Sequence, residues 1–269
     1  MYPASFDYYR PTSVAEAAQL MSRHAEAKVL AGGHSLLPVL RLRLAAPPAL
    51  IDITGIADLK GIREEGGALH IGATTTYSAI LASDTVKRSC PVLAEAVAQI
   101  GDLQVRNCGT IGGSLAHADP AADLPTLMVA LGATITAGSG SGQREIPAAQ
   151  FFVDLFTTAL KPGELLTAVK VPTCGEGTGA AYLKHPHPAS RYAVVGVAAL
   201  LSVRDGKLER ASVVVGGATP KPTRAAVRKV AESITDPLGD LYASGEFRTH
   251  LATVLAGRAL EKALERARG

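Results

Sequence analysis

Tryptophan is absent from this 269-residue sequence, and 7 Tyr with 5 Phe bring aromatic residues to only 4%. Few rings can stack on a flat ligand, so any such ligand must be held mostly by backbone and small side chains. Cysteine is equally scarce. Cys90, Cys108 and Cys174 stand far apart, with no CxxC or other close pair, which excludes an iron–sulfur cluster or a cysteine-built metal site in this chain. An odd number of scattered thiols suits a reducing compartment. Excess charge is lacking too: 27 Lys+Arg face 24 Asp+Glu for a net +3, and the basic residues are dispersed apart from a modest C-terminal concentration. Nucleic-acid binders cluster their basic residues, so that class is disfavoured. The longest strongly apolar run, Tyr192 to Val203, is far short of a membrane span. The start, MYPASFDYYRPTS, lacks the basic residues and apolar stretch of a signal peptide. A soluble cytoplasmic protein with no membrane span is expected.

What is present is enough to fold. With 47% hydrophobic and 19% charged residues the chain can bury a sizeable core, and its length fits two or three units better than one. Ser13 to Glu16 has capping-box spacing and opens a predicted helix ending near His24. Lys28 to Ala31 is a short strand stopped by Gly32-Gly33, a second helix spans Leu36 to Leu44, and Leu50 to Ile53 is a strand expected to pair in parallel with the first. Further on, a strand over Ala68 to Ala73, helices over Thr76 to Ser83, Cys90 to Ile100 and Ala121 to Leu131, and strands over Ala133 to Ala137 and Glu164 to Val171 are predicted. Gly175 to Gly179 reads as a domain boundary. Beyond it two strands, Tyr192 to Val203 and Ala211 to Gly216, meet at Asp205-Gly206, a hairpin signal. Helices over Arg224 to Ile234 and Gly245 to Arg268 close an α+β chain.

Two glycine turns stand out. Leu30-Ala31-Gly32-Gly33-His34-Ser35-Leu36 runs from a strand into a helix start, which leaves backbone N–H groups free for an anion. Asn107 to Ser114 repeats the ingredients and continues to Asp123 and Pro125. Two such turns could grip a diphosphate from both sides, with Asp123 accepting from a ribose hydroxyl. Neither is GxGxxG and no acidic residue stands at the Rossmann spacing, so a nicotinamide Rossmann domain is disfavoured.

These turns, AGGHSLLPVLRLRL (Ala31 to Leu44) and QVRNCGTIGGSLAHADPAADLP (Gln104 to Pro125), resemble the FAD-binding medium subunit of the molybdenum hydroxylases, nearest to that of aerobic carbon monoxide dehydrogenase. The likeness runs the length of the chain through FDYYRPTSVAEA, FFVDLFTTALKPGELL, KHPHPASRYAVVGVAA and FRTHLATVLAGRALEKA. It implies a PCMH-type FAD-binding fold of two α/β subdomains, about 1–54 and 55–172, and a smaller C-terminal α/β domain over 173–269. It also implies that Ala31, Gly32, Gly33, His34 and Ser35, flanked by Leu30 and Leu36, wrap one side of the FAD diphosphate, and Thr110, Ile111, Gly112, Gly113 and Ser114 the other. By the same likeness Asp123 holds the adenosine ribose, Leu166 packs on the cofactor, Lys184 reaches the flavin ring and Tyr192 lies near one flavin face. Arg191 departs from the acidic or glycine residue of the family pattern and sets a positive charge beside that tyrosine.

The resemblance further implies an oxidoreductase subunit, incomplete alone. A molybdopterin-binding large subunit oxidises substrate, and 2Fe-2S clusters in a small subunit pass electrons to this FAD and on to NAD, oxygen or a quinone, in a dimer of heterotrimers. An aldehyde, xanthine or N-heterocycle dehydrogenase subunit is the alternative within the family, a self-sufficient flavin oxidase or a scaffold outside it. Plainer readings stand beside these. His34 and His117 have no partners at metal-ligand spacing, His117-Ala118-Asp119 orders a loop, and His185 to Pro188 is a rigid loop. Asp102 and Arg106 form an ion pair or reach a neighbour, and Arg258, Lys262, Arg266 and Arg268 make a solvated helix face.

Overall fold

The computed structural model describes residues 2–268. Its first unit holds β1 (Asp7–Tyr9), α1 (Val14–Arg23), β2 (Lys28–Leu30), α2 (Leu36–Arg41) and β3 (Ala49–Asp52), the strands forming a parallel sheet in the order β1-β3-β2. The expected pairing of β2 with β3 is there, and β1 adds an edge. Ser13 caps α1 by accepting from the Glu16 N–H, but the Glu16 carboxylate bonds the Thr12 N–H at 2.8 Å rather than Ser13, so the box closes one residue early. Helix α2 stops three residues before Leu44, and Arg43 turns the chain at φ +58°.

The second unit begins with the hairpin β4 (Ile62–Glu65) and β5 (Ala68–Gly72). Six helices follow: α3 (Tyr77–Ala82), α4 (Asp84–Ser89), α5 (Pro91–Ala98), α6 (Leu103–Cys108), α7 (Ile111–His117) and α8 (Asp123–Leu131). Then come β6 (Thr134–Ser139), β7 (Gly142–Pro147), the short helix α9 (Ala148–Phe151), a ribbon of β8 (Phe152–Asp154) and β9 (Thr157–Thr158), and β10 (Leu165–Pro172). The sheet order is β4-β5-β10-β6-β7, all antiparallel. Gly112 and Gly113 fall inside the first turn of α7 and not in an open loop. A Cβ on Gly112 would lie 2.6 Å from that of Ala73, so the glycine lets the helix sit on the end of β5. Asp102 caps α6 by accepting from the Val105 N–H, and Arg106 donates to the carbonyls of Ile100 and Gly101. The expected Asp102–Arg106 ion pair is therefore absent, because each side chain finishes backbone groups at a helix end.

The third unit is an antiparallel sheet, β11 (Thr178–Pro186), β12 (Ala193–Arg204), β13 (Lys207–Gly216) and β14 (Thr223–Ala225), with the long helix α10 (Gly245–Arg268) on one face. Asp205 and Gly206 both take positive φ at the hairpin, as their sequence predicts. The predicted helix at Arg224 to Ile234 is instead an edge strand and a 3₁₀ turn. Arg224 bonds the Ser212 hydroxyl and the Val129 carbonyl, which holds this segment on the sheet edge. Helix α10 buries Ala252, Ala256, Ala259 and Ala263, so its backbone approaches closely; a Cβ on Gly179 would stand 1.9 Å from the Ala263 carbonyl oxygen. Its basic face is not wholly solvated: Arg266 makes two bonds to Glu95 of α5, at 2.7 and 2.9 Å, and a third to the Ala180 carbonyl.

Every residue of α8 is buried. A helix apolar all round belongs in a core, and α8 lies between the second and third sheets, so that Leu127 and Met128 share one cluster with Ile135, Ala198 and Val214. The other face of the third sheet packs on α10, and a small separate core, Ala17, Ile51, Ile53, Ile56, Leu59 and Leu165, supports the first unit.

Candidate functional site

Strand β2 delivers the chain into Ala31–Ser35, where Gly33 takes φ +73°. Among the described residues, no backbone N–H from Gly32 to Ser35 has a protein acceptor. Unpaired amides gathered at one turn form a donor set for an anion. The turn presses on the end of α6: a Cβ on Gly32 would lie 2.2 Å from the Cys108 carbonyl oxygen. The second glycine segment behaves differently. Its amides are spent within the protein, Ile111 on the Thr75 carbonyl, Gly112 on Ala73 and Ser114 on Thr110, with Gly113 bonded to the Thr110 hydroxyl at 3.1 Å. It offers a surface free of side chains where the first turn offers donors.

Between these segments lies a cavity of about 600 Å³, in the range of cofactor sites. Its wall takes in Ala31 to Leu36, Thr110, Gly112 to Ser114, Asp123, Leu166 and Tyr192, and also Arg191. Three residues of the predicted set are not in that wall. Leu30 lies behind the turn, near Gly33. Ile111 is fully buried in the core. Lys184 is only 2% exposed in its side chain, and it does not reach into the space.

Lys184 is instead a tie. Its ammonium sits 3.0 Å from the Asp123 carboxylate and 2.9 Å from the carbonyls of Gln99 and Arg191, joining α8, the end of α5 and the loop before β12. Tyr182, two residues earlier on β11 and so on the same sheet face, donates to Asp123 at 2.6 Å. Burial pushes the Asp123 carboxyl above its ordinary value, while the Lys184 charge and the Tyr182 hydroxyl pull it down. Arg191 is held at φ +60°, a conformation L-residues rarely adopt, with its N–H on the His187 carbonyl and its own carbonyl on Lys184. That pinned corner presents Tyr192. Burial and the Asp119 charge raise the Tyr192 pKa, and the Ser35 hydroxyl opposes them. Asp119 accepts from the Ala121 N–H, the loop-ordering role expected of it.

Other wall residues were not singled out from sequence. Tyr77 is pushed up to about 12 by burial, against the lowering effect of the Ser114 hydroxyl. Phe156, at φ +51°, stacks its ring 5.1 Å from that of His117. Glu164 is gripped by Arg144 at 2.7 and 2.8 Å and by the Lys161 N–H, and these contacts hold it down to about 2. None has a motif; in so ring-poor a chain, Tyr77 and Phe156 beside the glycine segments were the available signal.

Comparison with known proteins gives the chain a family. Residues 4–174 match the family model described as FAD binding domain in molybdopterin dehydrogenase. The chain is 40% identical to the carbon monoxide dehydrogenase medium chain of Afipia carboxidovorans, with both chains fully covered. It is 37% identical to subunit alpha of the 6-hydroxypseudooxynicotine dehydrogenase complex of Paenarthrobacter nicotinovorans, covering all of this chain and 97% of that one. A solved chain of carbon monoxide dehydrogenase from Hydrogenophaga pseudoflava superposes with a TM-score of 0.95 at 37% identity, 99% of each chain being covered. The chain therefore belongs to the FAD-binding medium subunits of the molybdopterin dehydrogenases, a family of oxidoreductase flavoproteins.

Proposed function

We propose that this chain is the electron-transfer subunit of an aerobic carbon monoxide dehydrogenase-type complex, working with a molybdopterin-binding large subunit and a 2Fe-2S small subunit in the cytoplasm. One observation carries the reading: a cavity of cofactor size whose wall combines unpaired amides of one glycine turn with glycine backbone of the other. Such a donor set suits the diphosphate of FAD. The Gly32–Ser35 amides would hold it, with Gly112 and Gly113 providing close approach, and Asp123 would bind the ribose with a carboxylate oriented by Lys184 and Tyr182. Leu166 and Tyr192 would pack on the cofactor. Bound FAD supplies exchange of electrons singly or in pairs, the property needed between clusters and an acceptor.

Lys184 acts here as a positioning residue for Asp123 and for the Arg191–Tyr192 corner. Arg191 sets a cation at the wall where Tyr192 stands. The unit boundaries near residues 54 and 172 would divide labour, the first two units carrying the glycine walls and the third carrying Tyr182, Lys184 and Tyr192. In support of a substrate chosen elsewhere in the complex, a glyceraldehyde dehydrogenase medium chain of Sulfolobus acidocaldarius is also 40% identical over 84% of this chain. An aldehyde-oxidising complex is thus the second reading. The test is isolation of the intact complex, identification of the chains that travel with this one, and anaerobic bleaching of its flavin absorbance by carbon monoxide, aldehydes or N-heterocycles. Bleaching by carbon monoxide is expected; bleaching by aldehyde alone selects the second reading, and absence of flavin sinks both.

A further inference from the structure

Outside the cavity, a backbone contact brings two of the three free cysteines to adjoining stretches of chain. Cys90 is buried at the joint between α4 and α5, while Cys174 is half-buried just past β10, where the chain leaves the second unit. The Cys174 N–H donates to the Ser89 carbonyl at 2.7 Å. Standard backbone dimensions then keep the two Cα atoms within about 7 Å, the reach of a disulfide. Cys108 stands apart, exposed at the end of α6.

We infer that Cys174 and Cys90 form a peroxide-responsive thiol pair, Cys174 being the sulfur that attacks peroxide and Cys90 the resolving one, and that oxidation joins them as an intrachain disulfide. Access matches the two sulfurs to these roles, Cys174 being half-buried and Cys90 buried. The neighbouring Cys90 thiol, helped by the Arg266 charge, holds Cys174 below the ordinary thiol value against burial. Its Cys174 neighbour and burial push Cys90 well above it. A low-pKa, reachable thiolate beside a second cysteine is the arrangement of a redox-responsive sulfur. The Cys174 thiolate attacks hydrogen peroxide, an S–O bond forms, the O–O bond breaks, and the departing hydroxide takes up a proton as water. The Cys90 sulfur then attacks Cys174: an S–S bond forms, the S–O bond breaks, and a second water leaves with the Cys90 proton. Two thiols lose two electrons and two protons, and one peroxide becomes two waters. The cross-link fastens the segment entering β11, the strand of Tyr182 and Lys184, to the start of α5.

Hydrogen peroxide added to the purified full chain, followed by alkylation and peptide mapping, tests this. Free thiols in the Cys90 and Cys174 peptides should be lost together, as one cross-linked pair two hydrogens lighter that dithiothreitol reverses. In Cys90→Ala, Cys174 should instead accumulate as a dimedone-trapped sulfenic acid. The inference is overturned if peroxide leaves both peptides alkylatable, or if the wild-type chain and Cys90→Ala trap dimedone on Cys174 equally with no cross-link formed. The wild-type mapping decides the matter even if the variant does not fold.

Discussion

At the scale of single residues, the site depends on atoms that are missing as much as on atoms present. Gly32 has no room for a methyl group, because the Cys108 carbonyl would lie 2.2 Å from it, and that atom is backbone and cannot swing aside. Gly32→Ala should push the first turn off α6, cost about 1–3 kcal/mol of overpacking, and lower FAD retention at least tenfold. Gly113→Ala meets only the Thr110 hydroxyl at 2.8 Å, with the next neighbour, the Ala31 Cβ, at 3.8 Å, so it should do less harm. Flavin-to-protein absorbance ratios after gel filtration measure both, and equal retention in the two variants would refute the assignment. Lys184 is the opposite case, a charge with three acceptors and almost no solvent. Lys184→Met leaves Asp123 buried with Tyr182 as its remaining side-chain partner, a change expected to cost about 3–5 kcal/mol. Adding Asp123→Asn should return part of that loss in urea melts, since the double variant buries no lone charge; a double variant as unstable as the sum of the singles contradicts it.

Elements were legible where the sequence repeats a local signal. Helix α1 has its cap residue Ser13, β2 and β3 flank a glycine turn, and Asp205-Gly206 marks the hairpin of β12 and β13. Three-residue strands carry no period: β1 exists because it pairs with β3, and Tyr8 donates to Asp52 across that pairing. The two glycine segments look alike in sequence but differ in reason, amide exposure at Gly32–Ser35 and helix packing on Ala73 at Gly112, and only the contacts separate them. The tie that Lys184 makes to Asp123, Gln99 and Arg191 carries no local signal, since all three acceptors lie on other elements. Glu164 shows what sheet assembly adds. It precedes β10 and takes Arg144 from β7, a pairing twenty residues apart. Its folded pKa of about 2 lies below the ordinary 4.5, so its contribution to stability is full above pH 4.5 and is lost as pH falls towards 2. Glu164→Gln should therefore be less stable than wild type at neutral pH, with the gap in urea midpoint closing between pH 4.5 and 2. A gap that stays constant across that range would show that ionisation of Glu164 is not what ties these strands.

On the scale of the whole molecule, the third unit is more than an appendage. The family match ends at residue 174, yet α8 is buried from both sides and shares its core with β11, β12 and β13. A Cβ on Gly216 would fall 1.9 Å from the Thr126 hydroxyl, so β13 and α8 meet at backbone distance. The cavity is divided in the same way: both glycine walls precede residue 174, but the wall residues Arg191 and Tyr192 follow it, as do Tyr182 and Lys184, which hold Asp123. A fragment ending at residue 174 keeps every glycine of the site while exposing one flank of α8 and stripping Asp123 of both side-chain partners. It should expose apolar surface, seen as dye binding, and fail to retain FAD. The full chain should melt in one transition, because the second and third units share a core. A fragment that melts cooperatively and holds stoichiometric flavin would show that the first two units make the site alone, and that the buried Asp123–Lys184 pair serves the joint between units, not the cofactor.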